Sequence, residues 1–130
     1  MEQMTIQYEA LSRLTPDESL VWDMLSTSHR GRDEAVTQAV LSVAAGMPAR
    51  RLRNIIKSLV QVHGLPVGST PHSPAGYFVV ETPEELAEIV ERYYRGALSL
   101  LYRMRRLKDI PIGDLAEQLM LDLRTYTDKE

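Results

Sequence analysis

The feature that most constrains the fold is a Gly–Met–Pro break between two short stretches with helical periodicity. Residues 38–45 carry apolar side chains at helical spacing and are followed by Gly46, and Pro48 begins a second such stretch that runs to Gly64. Glycine readily adopts the left-handed conformation that ends a helix, and proline is favoured in the first turn of the next one. The break therefore predicts two helices, at 38–45 and 48–62, joined by a short turn.

The spacing around this break fits a helix-turn-helix, in which a small residue and a glycine let two helices cross closely. With Gln38 as the first position of a unit of roughly twenty residues, Gly46 falls at the ninth position, where the chain must turn left-handed. Small Ser42 lies where the helices would touch. The positions that must face inward are all apolar, namely Leu41, Ala45, Met47, Leu52 and Ile55.

The outer face of the second helix is polar and mostly basic. It is formed by Ala49, Arg50, Arg53, Asn54 and Lys57. Arginine can donate two hydrogen bonds to guanine, asparagine can pair with adenine, and lysine can hold a phosphate. The competing interpretation is the solvated face of an ordinary amphipathic helix. Such a face usually mixes charge signs, however, and no acid occurs between Glu34 and Glu81.

The net charge of −3 hides a separation of charge along the chain. Residues 29–63 hold six bases and two acids, whereas residues 1–28 hold one base and five acids. Residues 109–130 are again acidic, with two bases and six acids. Because association depends on the local field, the middle of the chain is suited to attract a polyanion.

Capping signals predict a further helix upstream. Thr15, Pro16 and Glu18 form a capping-box signature for a helix that ends near Ser28–Gly31, whereas residues 1–14 are ambiguous and could form a short helix.

Proline and glycine become frequent after Gly64, around two short apolar runs. We expect strands at 66–69 and 77–80, joined as an antiparallel hairpin by the turn-rich segment 70–76. Residues 34–37, before the first of the two central helices, are short and extended in character. The expected fold is therefore mainly α with a small antiparallel β-hairpin, an α+β fold. Helix, short strand, helix, turn, helix and hairpin is the element order of a winged helix-turn-helix.

Two long segments together resemble the winged helix-turn-helix proteins of bacteriophages and prophages. They read GRDEAVTQAVLSVAAGMPARRLRNIIKSLVQVHGLPVGS and GYFVVETPEELAEIVERYYRGALSLLYRMRRL. The resemblance covers roughly residues 30–108 and lies in the wing pattern PV-S…GY that leads into a TPEEL helix. It implies a winged-helix fold, DNA binding through the helix at 48–62 and the hairpin at 66–80, and a role in replication or transcriptional regulation. The chain departs from the family where Met47–Pro48 replaces the usual Ser or Thr before the recognition helix.

Three positions outside the outer face of the recognition helix complete the expected DNA contacts. Arg51 and Arg32 are expected to contact phosphates, and His72 is the one residue of the wing tip that can become cationic. We place the DNA-binding domain at residues 1–81 and a C-terminal helical extension at residues 82–130.

The extension begins with a second capped start, in which Thr82 is followed by Pro83 and by Glu85 in the box position. The helix is predicted over residues 83–108, and apolar side chains recur in it at alternating spacings of four and three, as in a heptad repeat. This seam consists of Leu86, Val90, Tyr93, Ala97, Leu100, Met104 and Leu107. At about 40 Å, the helix is long for so small a domain, and we expect part of it to project or to find another partner.

Two interpretations of the seam stay open. In one, the helix packs back on the domain and on a short final helix at 114–123. In the other, the seam is a dimer interface that sets the spacing of two DNA half-sites, or a docking surface for another protein. The bases at the end of the helix, Arg103, Arg105, Arg106 and Lys108, fit the negative end of the helix dipole, with phosphate contact as the second interpretation.

Catalysis and cofactor binding have little support. None of the motifs GxxxxGK[ST], GxSxG and HExxH occurs in the sequence. His29, His63 and His72 are scattered, and surface or capping roles are expected for them rather than a metal site. We therefore expect no enzyme activity, no metal, no cofactor and no small-molecule substrate.

The cell compartment follows from composition. The sequence has no cysteine, no apolar run near the ~20 residues of a membrane span, and no signal-peptide pattern at its start. A cytoplasmic protein without membrane contact is expected.

Two functional hypotheses of different kinds result. The first is a phage-type protein that binds duplex DNA, sequence-specifically or generally. The second is a winged-helix interaction module that binds a replication or transcription protein, or a second copy of itself, through the heptad helix and the acidic tail, with little DNA binding.

Overall fold

The computed structural model describes residues 9–128, which are mainly helical with a small two-stranded antiparallel sheet. The helices are α1 (Pro16–Ser28), α2 (Gln38–Ala45), α3 (Ala49–Gln61), α4 (Pro83–Lys108) and α5 (Ile112–Asp128), and the strands are β1 (Val67–Thr70) and β2 (Gly76–Val79). A single 3₁₀ turn, Arg32–Glu34, lies between α1 and α2. Of the ambiguous segment 1–14, residues 1–8 lie outside the described residues and residues 9–12 are helical.

Helix α1 begins at the predicted capping box. The Thr15 hydroxyl accepts a hydrogen bond from the Glu18 N–H at 3.2 Å, and the Glu18 carboxylate accepts one from the Thr15 N–H at 2.9 Å. The helix ends with His29 as its C-cap, whose N–H donates to the Leu25 carbonyl. Local chemistry thus sets both ends of α1 where the sequence predicts them.

Helices α2 and α3 also match their predicted limits closely. Thr37 caps α2 by accepting a hydrogen bond from the Val40 N–H at 3.2 Å, and α2 ends at Gly46 as predicted. Pro48 is the N-cap of α3 and supplies no side-chain hydrogen bond, so this helix start lacks the usual Ser or Thr cap.

The hairpin is displaced by one residue at each strand from its predicted position at 66–69 and 77–80. Strands β1 and β2 pair from Val67 opposite Val79 to Thr70 opposite Gly76. The predicted extended segment 34–37 is extended only in part: Glu34 closes the 3₁₀ turn, whereas Val36 forms a bridge with Tyr77 through hydrogen bonds of 2.8 and 2.9 Å. A second one-residue bridge joins Arg30 to Val79, so two single residues extend the sheet along β2.

The hydrophobic core joins α1, α2, α3 and the hairpin. Its fully buried members come from all of these elements: Val21 and Leu25, Leu41, Leu52 and Leu59, and Val79. Trp22, the single tryptophan, is 5% exposed. Burial of one apolar face of each helix is what fixes the arrangement, since helices of this length are marginal alone.

The chain divides into two compact units, of which the first ends at Ile89 and the second begins at Val90. Our sequence-based division at 81/82 falls earlier, at the start of α4. The first turns of α4 belong to the first unit because Glu85 bonds the Arg32 backbone and because Ile89 is buried beside Gly68.

The second unit consists of the remainder of α4 and of α5. Helix α4 has the limits predicted for it, whereas α5 extends beyond the predicted 114–123 at both ends. Between them, Asp109 has a left-handed conformation (φ 51°), and the Arg105 Nε donates to the Ile110 carbonyl at 3.2 Å. None of the described residues of this unit is buried.

We predict that Gly76→Ala destabilises the first unit by about 2–4 kcal/mol. Gly76 has φ 128°, and an added Cβ would lie 1.9 Å from the Val36 carbonyl oxygen, so the substitution combines backbone strain with loss of the bridge. Urea unfolding followed by Trp22 fluorescence measures the change. Gly113→Ala, where a Cβ meets nothing within 4 Å, is the control and should leave the midpoint unchanged; equal midpoints for the two variants would contradict the prediction.

Candidate nucleic-acid interface

Helix α3 presents a basic face to solvent and an apolar face to the core. Leu52, Ile55, Ile56 and Leu59 are buried on the inner side. On the outer side Arg50, Arg53, Asn54 and Lys57 are exposed, and Ala49 is half-buried. The structure therefore brings the five predicted base-reading positions onto one helix face.

Three of these side chains are not neutralised by any side chain that the structure describes. Arg50, Arg53 and Lys57 take part in none of the ion pairs in that part of the chain. Because no carboxylate holds them, their positive charge stays available to an external anion. On a helix face that only increases solubility, such bases are usually paired with acids four residues away. Arg95 is paired in this way with Glu91 elsewhere in the chain.

The two predicted phosphate contacts, Arg51 and Arg32, differ from these three bases because each forms an ion pair within the chain. Arg51 is bonded to Asp17 in the first turn of α1, with its Nε 2.9 Å from the carboxylate. Arg32 is bonded through its side chain to Glu88 of α4. Both pairs are substantially exposed, so each contributes little to stability and can open when a stronger anion approaches.

Glu85 links this region to the start of α4. Its carboxylate accepts hydrogen bonds from the backbone N–H groups of Arg32 at 2.8 Å, Glu81 at 2.9 Å and Thr82 at 3.4 Å. Burial raises the pKa of the Glu85 carboxyl, but these three donors and the Arg32 charge outweigh it, and the net pKa is lowered. Glu85 thus stays ionised and holds the chain beside Arg32 in place.

The turn between α2 and α3 fixes how the basic face is presented. Gly46 adopts the left-handed conformation (φ 67°, ψ 36°), as the sequence predicts. The Ser42 hydroxyl donates to the Met47 carbonyl, and the Met47 N–H donates back to the Ser42 carbonyl at 3.1 Å. Met47 is buried. Ser42 therefore fixes the turn by hydrogen bonding, a more specific role than the close helix contact expected for it.

A buried polar cluster of Glu18, Ser58 and His63 anchors α3 from behind. The Ser58 hydroxyl donates to the Glu18 carboxylate at 2.5 Å, and the His63 Nε2 lies 3.2 and 3.3 Å from its two oxygens. The side chains of His63 and Glu18 are only 10% and 9% exposed. The expectation of a surface or capping role for His63 is therefore wrong. The sequence predicted Glu18 only as a capping residue. No pattern close to it in sequence indicates its partners, which are Ser58 on α3 and His63 just beyond that helix.

Glu18 is ionised in this cluster. Burial raises the pKa of its carboxyl, but hydrogen bonds from Ser58 and from the Thr15 backbone and the charge of the His63 ring outweigh burial, so the pKa lies below its ordinary value of 4.5. The cluster is satisfied in its hydrogen bonds, since the described part of the chain contains no buried side-chain nitrogen or oxygen without a partner.

The hairpin tip adds little positive charge to the site. His72 is exposed in the loop between β1 and β2, and its backbone N–H donates to the Thr70 hydroxyl at 3.2 Å. No lysine or arginine occurs between residues 67 and 79. The other two histidines face the protein, since the His29 Nδ1 lies 2.8 Å from the Glu34 carbonyl oxygen.

The predicted seam of α4 is a row of exposed apolar side chains. The exposed fractions are 50% at Leu86, 57% at Val90, 63% at Tyr93, 63% at Leu100, 40% at Met104 and 89% at Leu107, and Ala97 is exposed as well. Leu86 belongs to the first unit and the other six residues to the second.

No protein-family model, no curated protein and no solved structure matches the chain. Within residues 9–126, no cluster of three or more His, Cys, Asp or Glu side chains is arranged to hold a metal ion. The helices of the same region are too short or too polar to cross a bilayer. Function is therefore inferred from the geometry and charge of the site.

We expect Glu18→Gln to lower the free energy of unfolding by about 1–3 kcal/mol at neutral pH, because it weakens bonds to a buried ionised carboxylate. The folded pKa of Glu18 is depressed, so this contribution is complete above pH 4.5 and is lost as the pH falls through the folded pKa. The difference in free energy of unfolding between wild type and the Glu18→Gln variant should therefore become smaller in acid.

Urea unfolding at a series of pH values, read by Trp22 fluorescence, tests this. Glu34→Gln, at an exposed acid of the same unit, is the matched control and should change stability little at any pH. A Glu18→Gln deficit that persists undiminished in acid would show that the carboxylate charge is not the cause.

Proposed function

We propose that this chain binds duplex DNA by placing the outer face of α3 in the major groove. The observation that carries the proposal is the exposed face of α3, on which Arg50, Arg53 and Lys57 stand free of ion pairs within residues 9–128. Asn54 lies among them and can pair with adenine, while the arginines can pair with guanine.

The proposal includes a winged helix-turn-helix as the fold. It is supported by the order of α1, the Val36 bridge, α2, the Gly46 turn, α3 and the hairpin. In that fold α3 is the recognition helix. The setting in phage or prophage replication or transcriptional regulation comes from the sequence resemblance described above.

In this proposal the Asp17–Arg51 and Glu88–Arg32 pairs lie at the border of the interface. Each arginine exchanges its carboxylate for a phosphate on binding, so each acid reduces affinity. The wing contributes weakly, because His72 is its one residue able to become cationic.

A second candidate is a protein-interaction module with little DNA binding. The observation in its favour is the row of exposed apolar side chains on α4, which a DNA-binding role does not require. The two candidates differ in the outcome of a single binding measurement.

The first experiment is fluorescence anisotropy with mixed-sequence duplex and single-stranded DNA over a salt series. We expect duplex binding that weakens steeply with salt. The Arg50/Arg53/Lys57→Ala variant should bind about 100-fold more weakly or worse, with a shallower salt slope, since each lost contact is worth roughly 1–3 kcal/mol.

The matched control is Arg13/Arg95/Arg124→Ala, which removes the same charge from exposed positions outside α3. If the two triple variants lose affinity equally, α3 is not the recognition helix. If wild type binds neither form of DNA at low salt, the interaction-module candidate replaces the first.

A further prediction concerns Asp17. We expect Asp17→Asn to raise duplex affinity about three- to tenfold, because it releases Arg51 and removes a negative charge beside α3. Asp23→Asn, which removes an exposed charge from the same helix, should have a smaller effect. The gain should vanish in Asp17→Asn/Arg51→Ala; a gain that survives there would assign the effect to general repulsion alone.

A further inference from the structure

The second unit is a pair of helices without a core. Among its described residues, fourteen large hydrophobic side chains are exposed and none is buried. They are Val90, Tyr93, Tyr94, Leu98, Leu100, Tyr102, Met104, Leu107, Ile112, Leu119, Met120, Leu121, Leu123 and Tyr126. A two-helix segment of about 40 residues cannot bury enough surface to be stable alone, and without cysteine it cannot be cross-linked by a disulfide.

Nine of these fourteen side chains lie on two stripes, one on each helix, that suit helix–helix packing. On α4 the seam from Val90 to Leu107 keeps the alternation of three and four residues that is typical of knobs-into-holes packing. On α5 the residues Ile112, Leu115, Leu119, Leu123 and Tyr126 recur at the same spacings. The second unit of each copy thus offers two apolar stripes to a partner, one on α4 and one on α5.

The two helices carry opposite charge. Residues 90–108 hold six bases and one acid, whereas residues 109–130 hold six acids and two bases. A surface of one sign would repel a copy of itself. A surface with one basic and one acidic helix is self-complementary, because a two-fold rotation can bring each basic helix against the acidic helix of the other copy.

The area is sufficient for a stable dimer. Half of the exposed surface of these fourteen side chains amounts to roughly 800 Å² per chain, which matches the contribution of about 800 Å² that a standard interface needs from each partner.

We infer that the second unit pairs with the second unit of another copy of this chain, forming a four-helix dimer in which the basic part of α4 packs against the acidic α5 of its partner. The inference goes beyond the proposed function and rests on other residues, so dimerisation and DNA binding can fail independently.

The first test is the mass of the full-length chain, measured by sedimentation and by light scattering over a concentration series. Wild type should have twice the mass of one chain at high concentration and dissociate on dilution. A mass of one chain throughout, or a higher oligomer, would overturn the inference. The same measurement thus separates a second copy from packing within one chain or a different partner.

Leu100→Glu should raise the dimer dissociation constant by at least about 100-fold, because it places a charge in the centre of the apolar seam. Ser99→Glu introduces the same charge at an exposed residue off the seam and should change the constant by less than about threefold. Equal effects of the two substitutions would overturn the arrangement.

A charge exchange keeps the test independent of folding defects. Arg92→Glu/Arg103→Glu reverses two charges on α4 and lowers the net charge of residues 90–108 from +5 to +1, and Asp114→Arg/Asp122→Arg reverses two charges on α5 and raises that of residues 109–130 from −4 to 0. Each variant alone should dimerise more weakly than wild type, and an equimolar mixture should recover dimerisation, since the reversed positions then face each other. Variants that self-associate as well as wild type, or a mixture that stays monomeric while both are helical by circular dichroism, would contradict the proposed pairing.

Discussion

One buried carboxylate ties α1 to α3 within the apolar core of the first unit. Glu18 closes the capping box of α1 and also bonds Ser58 on α3 and His63 just beyond it. A charge at this depth is tolerated only when its hydrogen-bonding capacity is filled, so α1 and α3 have little freedom to rotate or slide against each other. The apolar contacts of Leu52 and Leu59 supply burial on the same side of α3. The basic face is turned outward as a result.

Five bases of the first unit fall into two groups with different physical roles. Arg51 and Arg32 connect helices, since each bonds a carboxylate on another element. Arg50, Arg53 and Lys57 bond no carboxylate in the described part of the chain and keep their charge toward solvent. If both proposals hold, a dimer carries two such faces, and two weak contacts to one duplex reinforce each other through their high effective concentration.

The sequence predicted best those features that depend on neighbouring residues. The caps at Thr15 and Thr82 and the left-handed Gly46 are local, and the helices they delimit agree with expectation to about a residue. The strands were displaced by one residue, because their register is set across the sheet and by the close approach of Gly76 to Val36.

Features that depend on distant residues were missed. The role of His63 could not be predicted, because its partner lies 45 residues away in sequence. Asp17 and Glu88 as partners of the two arginines were missed for the same reason. The outer face of α3 was predictable, since helical periodicity alone assigns its residues to one side. The Val36–Tyr77 bridge has a mechanical consequence. Val36 is followed directly by Thr37, the cap of α2, so the hairpin and the first turn of α2 are joined through a single peptide unit. A displacement of β2 must therefore either break that bridge or carry the start of α2 with it, and through the short Gly46 turn the same movement reaches α3.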